Sequence, residues 1–510
     1  MNDTAPNDTR PAPDAGVTAS LAATGIEGLD NVLAGGFARN RLYLIEGYPG
    51  SGKTTLALQF LFEGARLGER VLYVTLSETA EETRDVIASH GWPADTISIR
   101  ELVPPAVSLS PSEQYTMFHP SEVELTETTK AILAEVDRIK PHRIVFDSLS
   151  EMRLLAGNAL RYRRQILALK QYFSGRRCTV LMLDDRTATD HDLQVQSIAH
   201  GVVNLEQVYP EYGVERRRLR VVKYRGRAFR GGNHDYVIRQ GGLEVFPRLV
   251  ASEHRGPSSR ERMQSGIAEL DRLLGGGIER STSTLIIGAA GTGKSSLAAQ
   301  FAAATAARGD RAALFIFDES LETLLTRTDS LSIPLRAGYE SGHITIQQVD
   351  PAELPPGQLT SAIRKCVEVD GVRTVVIDSL NGYLNAMPEE HFLTVQLHEL
   401  LSYLGQQGVA TILVAAHMGL VGNQMTAPIE ASYLVDAVIL MRYFEARGEI
   451  RQAISIVKKR GSAHERTIRE FRLDDGHIRI GEPLREFRGV LTGVPVFEGA
   501  GETLMPKDGT

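Results

Sequence analysis

The sequence predicts two tandem α/β domains, each with a mostly parallel β-sheet flanked by helices. Three observations support this fold class. The pattern G-x-x-x-x-G-K-[ST] occurs at 47–54 and again at 288–295, and each copy follows a short apolar run. The two copies stand 241 residues apart, from Lys53 to Lys294 (294 − 53 = 241). Around both copies, apolar runs alternate with helical patterns, and this alternation indicates a parallel sheet covered on both faces.

The same offset of 241 residues relates several smaller motifs, for example Gly25 to Gly266 and Gly36 to Gly277. A fixed offset kept by several motifs indicates a duplicated domain. The length of 510 residues agrees, because two domains of roughly 200–250 residues are expected in such a chain. We divide the chain into a disordered arm at 1–16, a first domain at 17–247, a linker at 248–262, a second domain at 263–490 and a flexible tail at 491–510.

Each G-x-x-x-x-G-K-[ST] segment has the residues needed to wrap a phosphate chain. The glycines let the loop approach closely, so that backbone N–H groups and the N-terminus of the following helix face the anion. The lysine then reaches the β- and γ-phosphates, and the next hydroxyl holds Mg²⁺. An ordinary glycine-rich turn would lack the Lys-Thr pair and its flanking strand and helix. The predicted ATP-binding residues are Gly50, Ser51, Gly52, Lys53, Thr54, Thr55, Gly291, Thr292, Gly293, Lys294, Ser295 and Ser296.

Carboxylates at the ends of predicted strands supply the remaining groups of a nucleotide site. Asp147 and Asp378 each end an apolar run, where an aspartate holds the water shell of Mg²⁺. Glu78, Asp318 and Glu319 also follow buried strands, where a carboxylate beside the phosphate loop can polarise a water or a hydroxyl. We expect these three to be catalytic. The position of Glu78 alone is equally consistent with a capping role at the start of the helix that follows. The predicted Mg²⁺ ligands are Thr54, Asp147, Ser295 and Asp378.

A basic stretch at 216–230 contains eight Arg and Lys residues. It can bind nucleic acid, form a solvated strand face, or place cations on a neighbouring subunit's nucleotide as arginine fingers do. The second half keeps only the pattern Lys-x-Arg-Gly, at 458–461 against 223–226. Two cations before a glycine suit a phosphate better than a DNA track. The net charge of −7 also argues against a surface built wholly for nucleic acid.

Cysteine usage and hydropathy bear on the compartment. The only cysteines, Cys178 and Cys366, are far apart and form no C-x-x-C motif. This pattern excludes a zinc ribbon, provides no disulfide framework and favours a reducing compartment. No apolar run approaches the ~18–20 residues needed to span a membrane, and no signal-peptide pattern opens the sequence. We therefore expect a cytoplasmic protein without a membrane partner.

Together these motifs resemble the KaiC family, two-domain ATPases of the RecA superfamily that include the cyanobacterial clock protein. The resemblance covers roughly residues 25 to 492. It rests on both phosphate loops, on the acidic motifs at 77–79 and 318–320, on Gly91-Trp92, on Asp147-Ser148 and Asp378-Ser379, on the two Lys-x-Arg-Gly segments, and on residues 460–464 followed by 468–471. This set is far more specific than the phosphate loops alone, and it implies two tandem RecA-like P-loop domains.

The resemblance implies a homohexameric double ring with ATP and Mg²⁺ at subunit interfaces. It also implies slow ATP hydrolysis and autophosphorylation in the second ring. Lys223 and Arg225, with Lys458 and Arg460, would then reach phosphates across the interface. A KaiB-like or another signalling protein is an expected class of partner, although the polar segment where KaiB docks is shorter here. KaiA is not expected, because the tail lacks a long KaiA-binding extension.

Two positions depart from the family pattern. The family's phosphoacceptors are an adjacent Ser-Thr pair before a buried strand, and the matching residues here are Ser432-Tyr433. Ser432 is therefore the expected acceptor, whereas the hydroxyl of Tyr433 sits several ångströms further from the backbone and suits that geometry poorly. The family's acidic pair is Glu-Glu, which Ser77-Glu78 reduces to one carboxylate in the first domain.

The sequence thus leaves functions of different classes open. The first is a KaiC-like ATPase and serine/threonine autokinase that acts as a hexameric signalling or timing hub. The second is a RecA- or DnaB-like ATP-driven motor that binds nucleic acid through the basic stretch at 216–230. The acidic net charge and the loss of most basic residues from the second half favour the first. The third hypothesis is a nucleotide-sensing scaffold that binds ATP but barely hydrolyses it.

Overall fold

The computed structural model describes residues 21–102, 120–186, 194–210, 213–254, 256, 261–385, 392–417, 431–446, 448–474, 476–492 and 496–497. These residues form two compact units. Unit 1 comprises the chain up to Tyr209 and Glu215–Arg248, and unit 2 comprises Pro210–Val214 and the chain from Leu249 onward. The predicted arm at 1–16 lies outside the described residues, as does most of the predicted tail at 491–510.

Part of the predicted linker at 248–262 packs within unit 2. The backbone N–H of Ala251 donates to the carboxylate of Glu399 at 3.0 Å, and Gln407 donates to the carbonyl of His254 at 2.9 Å. Leu249 and Ala251 are buried in the core of this unit. These six residues, 249–254, are therefore held by side chains of unit 2.

Unit 1 alternates strands and helices over its first two hundred residues. Its helices are α1 (Glu27–Val32), α2 (Lys53–Arg66), α3 (Ala80–Ser89), α4 (Pro120–Ile139), α5 (Leu149–Ala156), α6 (Ala159–Ser174) and α7 (Gln194–Ile198). Its strands are β1 (Leu21–Ala22), β2 (Phe37–Ala38), β3 (Leu42–Gly47), β4 (Val71–Thr75), β5 (Ser98–Glu101), β6 (Arg143–Asp147), β7 (Thr179–Asp185), β8 (Gly201–Val208), β9 (Arg216–Tyr224), β10 (His234–Arg239) and β11 (Gly242–Phe246).

Unit 2 repeats this order. Its helices are α8 (Ala268–Leu273), α9 (Lys294–Ala307), α10 (Leu321–Ser330), α11 (Leu335–Glu340), α12 (Pro356–Glu368), α13 (Leu380–Asn385) and α14 (Leu393–Gln406). Its strands are β12 (Arg262–Met263), β13 (Ile278–Glu279), β14 (Ser283–Gly288), β15 (Arg311–Ile316), β16 (Ile344–Gln348), β17 (Val372–Asp378), β18 (Ala410–Ala416), β19 (Ala437–Ala446), β20 (Glu449–Lys459), β21 (Ile468–Asp474), β22 (His477–Pro483), β23 (Phe487–Arg488) and β24 (Val496–Phe497).

Each unit is built on one nine-stranded sheet. The order in unit 1 is β11-β10-β9-β8-β3-β7-β6-β4-β5, and unit 2 has the equivalent order β22-β21-β20-β19-β14-β18-β17-β15-β16. The strands from β8 to β5 pair in parallel, and β9 to β11 add antiparallel pairs at one edge. This architecture confirms the predicted pair of α/β domains with mostly parallel sheets.

Both faces of each sheet are covered by apolar cores, because alternate residues of a strand point to opposite faces. In β3, Tyr43 and Ile45 join the core beneath α2, whereas Leu42 and Leu44 join the core beneath α5 and α6. The central strands therefore read as continuous apolar runs, as expected for a parallel sheet buried on both sides. Among the described residues, no helix is both long and apolar enough to cross a bilayer.

The parallel strands bring the predicted site residues together at the carboxyl ends of each sheet's strands. Strands β3, β4, β6 and β7 end at Gly47, Thr75, Asp147 and Asp185, and their carboxyl ends lie side by side. Ligands of open α/β sheets bind outside these carboxyl ends. The described fold therefore positions the phosphate loop and the acidic residues around one crevice in each unit.

Candidate nucleotide-binding sites

The first phosphate loop turns sharply between β3 and α2. Gly50 and Gly52 have φ values of 81° and 85°, in the left-handed region that favours glycine. A Cβ on Gly52 would also lie 2.7 Å from Cδ1 of Ile238. The glycines of the motif are thus required by both backbone conformation and packing, and helix α2 begins directly at Lys53.

Lys53 is directed into the loop. Its Nζ donates to the carbonyls of Gly47 and Tyr48 at 2.9 and 3.0 Å and lies 2.7 Å from Oδ1 of Asp185. The other oxygen of Asp185 accepts from the hydroxyls of Ser148 and Ser150 at 3.3 and 3.2 Å. The ammonium is therefore buried at the phosphate loop, beside a carboxylate at the end of β7.

The predicted Mg²⁺ ligands of unit 1 meet in the structure. Thr54 Oγ1 donates to Oδ2 of Asp147 at 2.7 Å, and the hydroxyl of Tyr73 donates to the same oxygen at 2.5 Å. Burial raises the pKa of Asp147, and the hydrogen bonds from Tyr73 and Thr54 act in the opposite direction. Mg²⁺ prefers oxygen ligands, which here are the hydroxyl of Thr54 at the N-terminus of α2 and the carboxylate of Asp147 at the end of β6. These residues therefore fit the ion, with phosphate oxygens as its further ligands.

Glu78 lies three residues beyond β4. The side chain of Thr75 holds the backbone of Glu78 in place. Thr75 Oγ1 donates to the Glu78 carbonyl at 2.8 Å and accepts from the Glu78 N–H at 3.0 Å. Burial raises the pKa of the Glu78 carboxyl, and the negative charge of Asp147 raises it further. Its Oε2 is buried and has no hydrogen-bond partner among the described residues. Such a carboxyl beside the Mg²⁺ aspartate is suited to accept a proton.

The second phosphate loop has the same construction with one difference. Lys294 donates to the carbonyl of Ala289 at 2.7 Å. Strand register pairs Gly288 with Ala416, whereas Gly47 pairs with Asp185 in unit 1. Unit 2 therefore has an alanine where unit 1 has the carboxylate that contacts the lysine.

The Mg²⁺ ligands of unit 2 also come together. Ser295 hydrogen-bonds to Asp378, and burial raises the pKa of Asp378 to about 6 despite that bond. The Asp378 carboxyl group therefore changes its protonation state near pH 6. Because a bound cation strongly favours the ionised form, this pair fits Mg²⁺ as its counterpart in unit 1 does.

The two carboxylates after β15 are held by different partners. Asp318 accepts a hydrogen bond from the hydroxyl of Ser379, which follows β17. Glu319 pairs with Arg327 of α10 at 2.5 Å, and Arg327 also donates to Oγ of Ser296 at 2.6 Å. Arg327 therefore ties a predicted catalytic carboxylate to the helix that follows the phosphate loop.

The remaining predicted loop residues line the same turns. Gly291 and Gly293 have φ values of 79° and 93°, matching their counterparts in unit 1. Thr292 is fully buried and donates to the carbonyl of Ala289 at 2.9 Å. Ser51 is also fully buried, and Thr55 Oγ1 lies 3.5 Å from Nε2 of His90.

The Lys-x-Arg pairs lie at the amino ends of the parallel strands, opposite to the phosphate loops. Tyr224, between Lys223 and Arg225, pairs with Gly201, the first residue of β8. The pair is therefore at the amino ends of the parallel strands, away from the phosphate loop of its own unit. Lys223 donates to the carbonyl of Gln196 at 2.6 Å, and Arg225 donates to that of Ser197 at 2.8 Å.

In unit 2 the equivalent cations hold the predicted phosphoacceptor segment. Lys458 donates to the carbonyls of Ser432 and Val435, both at 2.6 Å, and Arg460 donates to that of Tyr433 at 3.2 Å. The side chain of Ser432 is exposed, and that of Tyr433 is 56% exposed. The acceptor candidate and the cation pair thus share one surface.

Several residues of the basic stretch at 216–230 make contacts within unit 1. Arg216 is buried, Arg217 pairs with Glu215 at 2.6 Å, and Arg218 lies 3.7 Å from Asp235. These three arginines are therefore part of the antiparallel edge of the sheet. Their contacts reduce the positive charge available for a nucleic-acid track.

Three contributors to the sites were not predicted. Tyr73 contacts Asp147, and Arg327 contacts Glu319. The sequence pattern predicts only that Tyr73 lies inside a strand and that Arg327 lies on a helix surface. Asp185 is visible in the sequence as a polar end of a strand, but its contact with Lys53 depends on the neighbouring positions of β3 and β7.

Comparison with known proteins agrees with this geometry. The family model "ATPase: KaiC" matches residues 22–250 and again 263–485. The circadian clock protein KaiC3 of Synechocystis sp. (strain ATCC 27184 / PCC 6803 / Kazusa) is 28% identical over 484 residues, which are 94% of this chain and 95% of that protein. The circadian clock oscillator protein KaiC of Parathermosynechococcus lividus is 26% identical over 508 residues, covering 97% and 93% of the two chains.

The KaiC of Synechococcus elongatus (strain ATCC 33912 / PCC 7942 / FACHB-805) is 26% identical over 478 residues, or 92% of this chain and 91% of that protein. The duplicated match covers most of the sequence and coincides with two sheets that each carry a phosphate loop. The chain therefore belongs to the KaiC family of ATPases.

Proposed function

We propose that this protein hydrolyses Mg-ATP, phosphorylates itself on Ser432, and acts as a homohexameric signalling or timing hub. The observation that carries the proposal is in unit 2. One edge of its sheet has the phosphate loop, Asp378 and two further carboxylates, and the opposite edge has Ser432, whose carbonyl accepts from Lys458 at 2.6 Å. The proposed donor site and the proposed acceptor segment thus lie in the same unit, at opposite ends of its parallel strands.

This separation favours transfer between copies of the chain. If the carboxyl-end edge of one unit 2 meets the amino-end edge of the next, Ser432 approaches the neighbour's phosphate loop. Lys458 and Arg460 then contact the phosphates of the neighbour's ATP. Such head-to-tail contacts form a closed ring when the rotation between copies closes, and the resemblance implies six copies.

The transfer reaction uses groups that this chain supplies. Oγ of Ser432 attacks the γ-phosphorus, the Oγ–P bond forms, and the bond to the bridging oxygen of ADP breaks. The hydroxyl proton passes to Glu319 or Asp318 of the neighbouring copy, and Lys294 offsets negative charge on the phosphates. Ser295 and Asp378 would hold Mg²⁺, which would offset negative charge on the phosphates. Arg327 holds Glu319 in place for this role.

In unit 1 the same scheme uses water as the acceptor. Glu78 accepts the proton of the attacking water, while Lys53, Thr54 and Asp147 hold the nucleotide and Mg²⁺. With Ser77 in place of a second carboxylate, Glu78 is the base in this crevice. We assign ATP hydrolysis without phosphotransfer to unit 1. A KaiB-like or other signalling protein is the class of partner that would read the resulting state.

The test is mass spectrometry of the intact protein and its peptides after incubation with Mg-ATP. We expect one added phosphate per chain on Ser432, lost in Ser432→Ala and retained on the new hydroxyl of Ser432→Thr. Ser341→Ala, at another exposed serine of unit 2, is the matched control and keeps the phosphate. Absence of phosphate from the wild type, with ATP hydrolysis unaffected by Ser432→Ala, would contradict the autokinase and leave an ATPase switch.

The nucleic-acid motor is the competing function. It predicts hydrolysis stimulated by single-stranded DNA and an affinity that falls steeply with salt. We expect neither, since Arg216, Arg217 and Arg218 are buried or paired within the sheet. Measuring hydrolysis with and without single-stranded DNA at two salt concentrations decides between the two functions.

A further inference from the structure

Asp185 faces several charged groups of the crevice in unit 1. Its Oδ1 is 2.7 Å from Nζ of Lys53, the group that reaches the β- and γ-phosphates in this motif. Burial contributes most to the raised pKa values of Glu78 and Asp147, and the charge of Asp185 raises both further. The carboxylate therefore lies among the lysine, the candidate base and the proposed Mg²⁺ ligand, which together surround the place of a terminal phosphate.

Two hydroxyls fix the second oxygen of this carboxylate. Asp185 Oδ2 accepts from Ser148 at 3.3 Å and from Ser150 at 3.2 Å, and Ser150 Oγ also accepts from the backbone N–H of Asp185 at 3.4 Å. The strand register pairs Asp185 with Gly47, the first residue of the phosphate loop. The carboxylate is therefore held beside the loop, and it cannot turn away from a bound nucleotide without breaking these contacts.

Unit 2 builds the same place without a negative charge. Ala416 occupies the position of Asp185 in the strand register. Asn381 occupies that of Ser150, three residues after the aspartate that ends the neighbouring strand. The amide group of Asn381 exchanges two hydrogen bonds of 2.7 Å with the backbone of Ala416. A methyl group and a neutral amide therefore replace the carboxylate and the hydroxyl of unit 1.

This carboxylate acts differently on triphosphates and on diphosphates. A triphosphate brings its terminal phosphate to Lys53, and therefore close to the carboxylate that Lys53 contacts. Like charges at such a separation repel strongly where water is largely excluded. A diphosphate lacks the terminal group, so its charge stays further from Asp185. The repulsion therefore falls mainly on ATP and less on ADP.

We propose that Asp185 determines the nucleotide preference of unit 1, because its charge weakens the binding of nucleoside triphosphates relative to diphosphates. Unit 2, with Ala416 in this place, keeps the full preference for triphosphates. ADP therefore competes with ATP more effectively in unit 1 than in unit 2. The inference rests on the proposed function, because it requires that ATP occupies this crevice.

Calorimetric titration with AMP-PNP and with ADP, both in the presence of Mg²⁺, tests this preference. Every chain carries Lys294→Ala, so that binding reports on unit 1. The test variant is Asp185→Asn, which removes the charge but keeps an oxygen that accepts from Ser148 and Ser150. The matched control is Asp85→Asn, which removes the charge of an exposed aspartate on α3.

We expect Asp185→Asn to bind AMP-PNP at least about tenfold more tightly than the parent chain, and ADP at most about threefold more tightly. Asp85→Asn should match the parent chain for both nucleotides. Equal factors for AMP-PNP and ADP, unchanged or weaker binding of AMP-PNP by Asp185→Asn, or the same gain in Asp85→Asn, overturns the inference. A parent chain that binds neither nucleotide would contradict the proposed function, and this inference with it.

The reciprocal change in unit 2 separates the effect of charge from a local disturbance in unit 1. Ala416→Asp adds the carboxylate beside Lys294, in chains whose unit 1 is silenced by Lys53→Ala. Because Asn381 bonds to the backbone of residue 416, the substitution leaves those hydrogen bonds in place. We expect AMP-PNP to bind about tenfold more weakly and ADP to bind almost as before. An equal loss for both nucleotides, or no change for either, contradicts the inference.

Discussion

Individual side chains shift the pKa values of the two aspartates that we propose as Mg²⁺ ligands, Asp147 and Asp378. In unit 1, Asp147 accepts from both Tyr73 and Thr54, and these hydrogen bonds partly offset the effect of burial on its pKa. In unit 2, Leu314 occupies the place of Tyr73 at the offset of 241 residues, and Asp378 has a pKa of about 6. Burial thus raises the pKa of both aspartates, and the hydrogen bond from a phenol opposes it in unit 1.

Tyr73→Phe tests the contribution of the phenol. Loss of the hydrogen bond to the carboxylate raises the pKa of Asp147, because that bond favours the ionised form. Because Mg²⁺ binding needs the ionised form, the acid limb of ATP hydrolysis by unit 1 moves to higher pH. The measurement is the pH profile of hydrolysis with unit 2 silenced by Lys294→Ala. Tyr172→Phe, which removes a hydroxyl bonded to Asp137 instead, leaves the profile unchanged. An unshifted profile for Tyr73→Phe would refute the role of the phenol.

Asp378→Asn tests the cost of the buried carboxylate. Its pKa of about 6 lies above the ordinary ~3.9, so ionisation lowers stability above pH 6, and this cost disappears below about pH 4. Without nucleotide, the variant is more stable at pH 7.5 by up to ~3 kcal/mol, equivalent to several degrees in the melting temperature of unit 2. The gain shrinks to nothing near pH 4. The exposed variant Glu340→Gln shows no such pH-dependent gain, and a constant gain at all pH values would exclude the explanation by ionisation.

At the scale of elements, the phosphate loops depend on positive φ values and close packing together. A Cβ on Gly293 would lie 2.8 Å from Cε1 of Phe471 and 2.9 Å from Cδ1 of Leu473. The loop therefore packs against β21, an antiparallel strand with no phosphate-binding motif of its own. Sequence reasoning identified the glycines from their motif, whereas this packing depends on which strand the fold brings beside them.

Gly293→Ala and Gly309→Ala separate strain from packing. Both glycines have positive φ values, 93° and 84°, but a Cβ on Gly309 would meet nothing within 4 Å. We expect Gly309→Ala to lower the free energy of unfolding by about 1–2 kcal/mol and to keep ATP binding. Gly293→Ala should lower it further and prevent ATP binding by unit 2, because Phe471 and Leu473 must move. Thermal unfolding and nucleotide titration measure both effects, and identical behaviour of the two variants would contradict the packing argument.

At the scale of the whole molecule, the two units share one topology but have different sites. Unit 1 has a carboxylate beside Lys53 and one candidate base, Glu78. Unit 2 has two candidate bases, an alanine in place of Asp185 and an exposed serine on its opposite edge. We expect a division of labour in which unit 1 hydrolyses ATP and unit 2 transfers phosphate.

Mixing two variants tests transfer between copies. Ser432→Ala chains keep the phosphate loop of unit 2 but lack the acceptor, and Lys294→Ala chains keep the acceptor but lack the lysine that holds ATP. Neither is phosphorylated alone. Mixed before addition of Mg-ATP, they give phosphate on Ser432 of the Lys294→Ala chains, because acceptor and donor come from different copies. A mass tag on one variant identifies the modified chain. No phosphate in the mixture, despite phosphorylation of the wild type, would place transfer within one chain.

The sequence by itself determined the duplicated α/β architecture and the candidate phosphate-binding residues, because these depend on short motifs and on the alternation of apolar runs. Lys53, Thr54 and Asp147 meet at the phosphate loop of unit 1, and Ser295 meets Asp378 in unit 2. The tertiary structure alone decided which residues meet across strands. Tyr73 contacts Asp147 and Asp185 contacts Lys53, because strand order brings together positions that are distant in the chain.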